Sequence, residues 1–521
     1  MNIQQIIARS FSCLLSLLGL TLLASPAAAQ VFDTGPSSSS LFDNVSNIPP
    51  DPDIIAGFPP LPSVGGDGLT TQINIFDGGM VTGLSTFSGA EVNISGGQLR
   101  LELVGNGSEI NVSGGLLFGE TFAVTGSMVN IFNGGALGSN FNASIGSMVN
   151  FHGGTVGANF NALAGSDVEL FGGEFQLNGS PYSGALISLE PGDYFTGTLS
   201  DGSTFIFDTN GPNSRIDSLT DVQLTSTTLP NVDLSPMVVS TSDHNLPSGL
   251  RSGQELTLLD GGQLGENYEV INATLNIEGG NLAGGGGAIN STVNVSSGST
   301  GSFFTAFRGT VLNVSGGVLG SFFQADFGSV VNLSGGVVET GFDAYSGSVV
   351  NMSGGDINGS FGAKNGSVVN IRGGTFGETR NNVFGFFANS GSEVNLFGSN
   401  FALDGVSLDD SLTIDEAFTI TDRGVLLTGE FDDGSPFSLD LGTAAASFPG
   451  SIRADATLTV TLVSPILLGD VNQDGLVNFL DINPFISLLA SNTFLPQADC
   501  NLDGAVNFLD IAPFIAILSG N

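Results

Sequence analysis

The sequence predicts a mostly β chain: two duplicated parallel β-helix modules with coils of about 19 residues, then a small all-α domain. Three observations carry this. The phrase V-N-[hydrophobic]-x-G-G recurs at near-constant spacing through most of the chain. The array occurs twice, and each copy closes on a related tail. The chain then ends on two copies of one acidic loop, "DVNQDGLVNFLD" and "DCNLDGAVNFLD", 29 residues apart.

Residues 1–29 read as a secretory signal. Arg9 gives a positive start, "FSCLLSLLGLTLLA" a short apolar core, and "AAA" at 27–29 a small-residue cleavage site. That stretch is short for a membrane span and no later one is longer, so the mature chain is expected to be exported without a transmembrane span. Cys13 would leave with the signal, and Cys500 alone cannot form an internal disulfide. Stability must then come from burial, regular backbone pairing or metal. The balance of 10 basic against 49 acidic residues, a formal charge of −39, makes nucleic acid and anionic lipid poor partners. Residues 30–66, rich in Ser and Pro, read as a linker or irregular cap.

The first module, 67–240, carries the second residue of the phrase at Asn74, Asn93, Asn111, Asn130, Asn150 and Glu169, spaced 19, 18, 19, 20 and 19. The second, 241–466, carries it at Thr257, Asn276, Asn294, Asn313, Asn332, Asn351, Asn370 and Asn395, spaced 19, 18, 19, 19, 19, 19 and 25. The last interval holds an insertion near "TRNNVF". Period-two alternation puts the two apolar neighbours on one face and Asn on the other; Gly-Gly then turns the chain. About ten residues after each typical Asn comes F-x-A, as at Phe141, Phe160, Phe304, Phe323, Phe342 and Phe361. Such a unit cannot bury its apolar face alone but can when stacked on its like. The stack predicts an inner Phe column and an outer Asn ladder, and the lack of a hexapeptide period favours a right-handed coil. The related tails, "FTGTLSDGSTFIFD" and "LLTGEFDDGSPFSLD", read as alternating strands that suit a final coil or a cap.

In the terminal segment, 467–521, oxygen donors fall at positions 1, 3, 5, 9 and 12 of each loop: Asp470, Asn472, Asp474, Asn478 and Asp481, then Asp499, Asn501, Asp503, Asn507 and Asp510. Gly475 and Gly504 stand at position 6, where a sharp turn is needed, and Leu476 and Ala505 at position 7 can offer carbonyls. This is the all-oxygen spacing of an EF-hand-type loop, so two calcium ions are expected, because three carboxylates per loop repel one another without a cation. An apolar helical stretch follows each loop, with Pro484 or Pro513 near its start. Two such loop–helix units resemble the type I dockerin, the calcium-dependent module that docks secreted bacterial proteins onto cohesin domains. The resemblance implies a cohesin-like or other envelope protein as partner. It departs at positions 10 and 11, where small polar residues are usual and Phe479, Leu480, Phe508 and Leu509 stand here. These four either close the domain's own core or form an apolar docking face.

β-Helices and dockerins both accompany polysaccharide lyases and hydrolases, so an enzyme reading stands beside a non-catalytic one. Arg100, Arg251, Arg308, Lys364, Arg372 and Arg380 are scattered over different coils, and Asp409–Asp410 and Asp432–Asp433 read as solvated turns. His152 and His244 lack a partner in sequence, and without Trp and with only four Tyr a sugar-stacking cleft is poorly supplied. Catalytic sites need unlike groups at one place, whereas these coils are alike. The reading favoured is a secreted or surface-displayed scaffold, adhesive in style and possessing a capacity for surface glycans; the alternative is a dockerin-borne lyase or glycoside hydrolase.

Overall fold

The computed structural model describes residues 30–34, 63–64, 71–76, 80–86, 90–104, 107–117, 122–123, 125–157, 160–209, 216–219, 222–240, 248–376, 385–442, 451–463, 467–491, 493–501 and 504–519. The expected signal segment, the insertion near "TRNNVF", His244, Arg380 and Asp503 lie outside them. The chain divides into two compact units, one ending at Pro230 and the other beginning at Asn231. The chain holds about 13 turns of β-solenoid with ~19-residue coils, and the two short helices lie at the C-terminus.

In the first unit the V-N strands pair in parallel and in register, so that Asn74, Asn93, Asn111, Asn130, Asn150 and Glu169 stand opposite one another in turn. The segment Gln30–Thr34, within the stretch read as linker or cap, adds a parallel strand outside Thr71–Ile75. In the second unit the same register runs from Thr257 through every named Asn to Asn395. The Asn amides form a ladder: Asn351 Nδ2 donates to Asn332 Oδ1 at 2.9 Å, and Asn370 Nδ2 to Asn351 Oδ1 at 2.8 Å. Each bond satisfies an amide that the neighbouring strand would otherwise leave competing for water, a net gain of about 1 kcal/mol.

The residues flanking each Asn point inward, as Val331, Leu333, Val350 and Met352 do. The F-x-A strands seal the opposite side. Phe304, Phe323, Phe342 and Phe361 are buried, with ring centroids 6.4, 5.1 and 4.3 Å apart in succession. Both residues of Gly-Gly are needed. At Gly336 φ is +79°, and a Cβ on Gly335 would lie 2.4 Å from the Ser315 carbonyl oxygen of the coil beneath. A second turn, Gly-Ser, follows F-x-A. Its serine is buried and donates back to a carbonyl three residues earlier, as from Ser348 Oγ to Tyr345 O at 2.6 Å.

Both units end alike. In the first, Tyr194–Leu199 and Thr204–Asp208 form an antiparallel hairpin on Asp167–Leu177, and Val222–Ser226 then adds a parallel strand to the opposite edge, so that Gly172 pairs with both Leu199 and Ser226. In the second, Val425–Phe431 and Pro436–Leu441 form the hairpin on Glu393–Leu403, and Thr457–Leu462 adds the parallel strand. The turn of each hairpin clasps a coil glycine: Gly154 N donates to Asp201 Oδ2 at 2.8 Å and Gly374 N to Asp433 Oδ2 at 2.7 Å. The tails are therefore both cap and final coil.

Candidate metal centre and docking face

Each C-terminal loop is held by its own carboxylates. Asp470 accepts from the N–H of Asp474 at 3.0 Å and of Gly475 at 2.8 Å, and Asp499 accepts from Gly504 N at 2.9 Å. Gly475 and Gly504 take φ of +83° and +84° with open space where a Cβ would stand, so glycine is there for its backbone freedom. Asp481 spans its loop, accepting from Asn472 N at 2.9 Å and Asn478 N at 2.8 Å; Asp510 does the same from Asn501 N at 3.1 Å and Asn507 N at 2.8 Å. Asn478 and Asn507 accept in return from Leu480 N and Leu509 N, both at 2.8 Å, closing a capping box. The chain passes from there through a 3₁₀ turn into the helices Ile482–Ser491 and Ile511–Ser519. Each proline is the third residue of its helix, within the first turn, where its missing N–H costs little.

The donor set fits a hard divalent cation. Asp470, Asp481, Asp499 and Asp510 are all buried, and no Lys, Arg or His follows Arg453 to neutralise them. Asn472, Asp474 and Asn478 supply further side-chain oxygens in the first loop; Asn501 and Asn507 do so in the second, whose Asp503 lies outside the described residues. The Leu476 and Ala505 carbonyls would complete the two sets. Among the described residues no three His, Cys, Asp or Glu side chains are drawn together closely enough to hold a metal ion. The Asp oxygens are turned instead onto backbone amides.

The two loop–helix units share one core of Val471, Phe485, Ala498, Cys500, Val506 and Phe514. Phe485 and Phe514 stack at 4.1 Å with 10° between planes, so each unit contributes one ring to the seam. Cys500 is sealed here; burial, with Asp510 and Asp499 adding, pushes its thiol up to about 11 and leaves it a poor nucleophile. Phe479, Leu480, Phe508 and Leu509 take no part in this core, being 79, 67, 80 and 69 % exposed. Of the two roles open to these residues, core closure is filled by Phe485 and Phe514 instead. Ile486 and Ile515, seven residues beyond Phe479 and Phe508, are also exposed. Sequence reasoning passed over them because the whole helical stretch is apolar and its outer face does not announce itself.

The family model for the dockerin type I domain matches residues 468–519. No curated protein and no solved structure matches the chain. Type I dockerin domains generally bind calcium, and dockerin domains generally bind cohesin. Among the described residues no helix is long and apolar enough to cross a membrane. The chain is thus a β-solenoid whose C-terminal segment matches the dockerin type I domain.

Proposed function

We propose that this chain is an exported, non-catalytic, adhesin-like β-helical scaffold, assembled or anchored through a tail that binds two calcium ions. Phe479, Leu480, Phe508 and Leu509 are the contacts for a cohesin-like or other envelope protein. One observation carries this reading: two equivalent turns hold four large apolar side chains out in water while other residues close the core. Exposed apolar groups so concentrated in a small domain mark an interaction surface. Dockerin proteins are typically extracellular, which supports export.

Three of the four carboxylates that an enzyme reading would recruit are engaged in holding the coils. Asp409 accepts from Asn400 N at 2.8 Å and Phe401 N at 2.9 Å. Asp432 pairs with Arg372 at 3.3 Å, and Asp433 clasps Gly374. His152 is stacked between Phe132 and Phe171, at 5.1 and 4.0 Å. Burial holds its pKa below the ordinary value despite nearby Glu169, so it lies neutral among rings.

The test uses the full chain and immobilised recombinant cohesin domains. Capture is expected in calcium and lost in chelator. Phe479→Ser with Phe508→Ser should weaken capture by roughly a hundredfold, two hot-spot truncations, while calcium uptake persists. Reducing ends or unsaturated products released from polysaccharides by a chain ending at residue 466, and abolished by mutating one carboxylate cluster, would establish the enzyme reading instead.

A further inference from the structure

In several coils the corner just before the inward Phe or Tyr takes positive φ, although Ser360 before Phe361 does not. Asn140 (φ 63°) precedes Phe141, Asn267 (φ 53°) precedes Tyr268, and Gly341 (φ 90°) precedes Phe342. Asparagine and glycine meet that demand at least cost. Two coils refuse the economical choice. Phe303 and Phe322 occupy the corner at φ 62° and 60°, with 56 % and 48 % of each residue exposed. Their rings stack at 4.9 Å and 13°. A bulky residue in the left-handed region is strained, and an aromatic ring held in water forgoes its burial. Neither helps the coil fold, and strain without structural return is the mark of a working surface.

The outward face beside this pair is also unlike the rest of the array. Asp343 stands one coil beyond Phe322, with Lys364 Nζ at 2.7 Å from Oδ1 and the Tyr345 hydroxyl donating to Oδ2 at 3.2 Å. Lys364 lies 5.1 Å from the ring centroid of Phe387, which falls in the same column as Asp343 and two coils on. In the first module the matching positions hold Asn142 and Asn161, bonded to each other at 2.9 Å. A duplicated scaffold that folds with two asparagines there does not need a carboxylate, an ammonium, a phenol and a ring.

We propose that this face of the second module, from Phe303 to Phe387, binds a neutral polysaccharide chain; the proposal rests on reading the module as a non-catalytic scaffold. Aromatic rings suit the C–H faces of pyranoses, and the Asp343–Lys364–Tyr345 group suits their hydroxyls. These groups are strung along the stack in steps of about 4.8 Å, comparable to one sugar of an extended chain. The Phe303–Phe322 pair and Phe387 are separated along the stack by Asp343, Tyr345 and Lys364, whereas a stable protein interface is built on a contiguous apolar centre. A formal charge of −39 disfavours an acidic glycan. Of the doublets "FF" at 303–304, 322–323 and 386–387, only the last lies in a strand, where period two turns Phe387 outward; at Phe303 and Phe322 the left-handed turn does so.

The experiment is affinity electrophoresis of the full chain in native gels containing hydroxyethylcellulose, galactomannan or xyloglucan, with polygalacturonate as the acidic comparison. Retardation is expected in at least one neutral gel, and should weaken roughly tenfold in Phe303→Asn with Phe322→Asn, the loss of two stacking rings. Asparagine is what the repeat itself places at 140 and 267, so the variant should melt no lower than the parent, and weakened retardation then reports the surface and not the fold. Chelator should leave retardation intact. A chain that is retarded yet fails to capture cohesin would sink the docking reading and leave this one standing. No retardation in any neutral gel, retardation by polygalacturonate alone, or equal retardation of the double variant overturns the proposal.

Discussion

At the scale of single residues, two kinds of side chain do different work in the same coil. Phe342 is fully enclosed between Phe323 and Phe361, at 5.1 and 4.3 Å. Phe342→Ala removes a ring from a column that cannot collapse, because the backbone rungs hold its neighbours apart. It should cost about 3–5 kcal/mol, read as a lowered urea midpoint for the second module. Asn351 loses less. Its amide gives one ladder bond and takes another, so Asn351→Ala should cost about 1–3 kcal/mol in the same measurement. A cost for Asn351→Ala equal to that for Phe342→Ala would mean that the ladder, not the column, holds the coils together. In the tail, Asp470→Ala with Asp499→Ala removes the position-1 carboxylate from both loops. Calorimetry on the full chain should then show calcium uptake abolished, and no uptake by the parent at millimolar calcium would refute the assignment.

At the scale of elements, the coil is the unit of both sequence and stability. Because each strand pairs only with its counterparts one coil away, removing residues 332–350 joins two equivalent positions and merely shortens the stack. Its circular dichroism should stay β-rich, with a melting temperature near the parent's. Removing nine or ten residues from the same region sets F-x-A strands against V-N strands, turns Asn inward and should unfold the second module. Equal tolerance of the two deletions in thermal melts would be fatal to the coil reading. The 19-residue period, the inward Phe and the Asn ladder were legible in the sequence, because each comes from strict repetition. The Gly-Ser turn was not singled out, since a buried serine satisfied by its own local carbonyl leaves no hydrophobic signature.

At the scale of the whole molecule, the composition separates solenoid from tail. The solenoid holds itself with aromatic columns and backbone rungs, neither of which depends on metal. The C-terminal segment has a small core and buried carboxylates with no basic residue to offset them. Calcium removal should therefore reduce the helical signal while leaving the β signal and the main thermal transition in place, since ligand assembly and folding of a small metal domain are coupled. A chelator that lowers both signals together would show that the solenoid, too, leans on metal.

By itself the sequence determined the repeat, its duplication, the all-oxygen loops and the two helices, because those features are written locally as period, spacing and turn chemistry. It also placed the terminal hairpins as strands, but not as clasps. That Asp201 and Asp433 close over Gly154 and Gly374 depends on chain folding back across some 50 to 60 residues, which no local pattern encodes. The tertiary structure alone decided which apolar residues of the tail lie inside. Phe479 and Phe485 look alike in sequence, yet Phe485 meets Phe514 across the seam and Phe479 does not. It likewise decided that Phe303 and Phe304, adjacent in the chain, serve opposite sides of one coil, because only the turn's left-handed backbone sends the first ring into water and the second into the column.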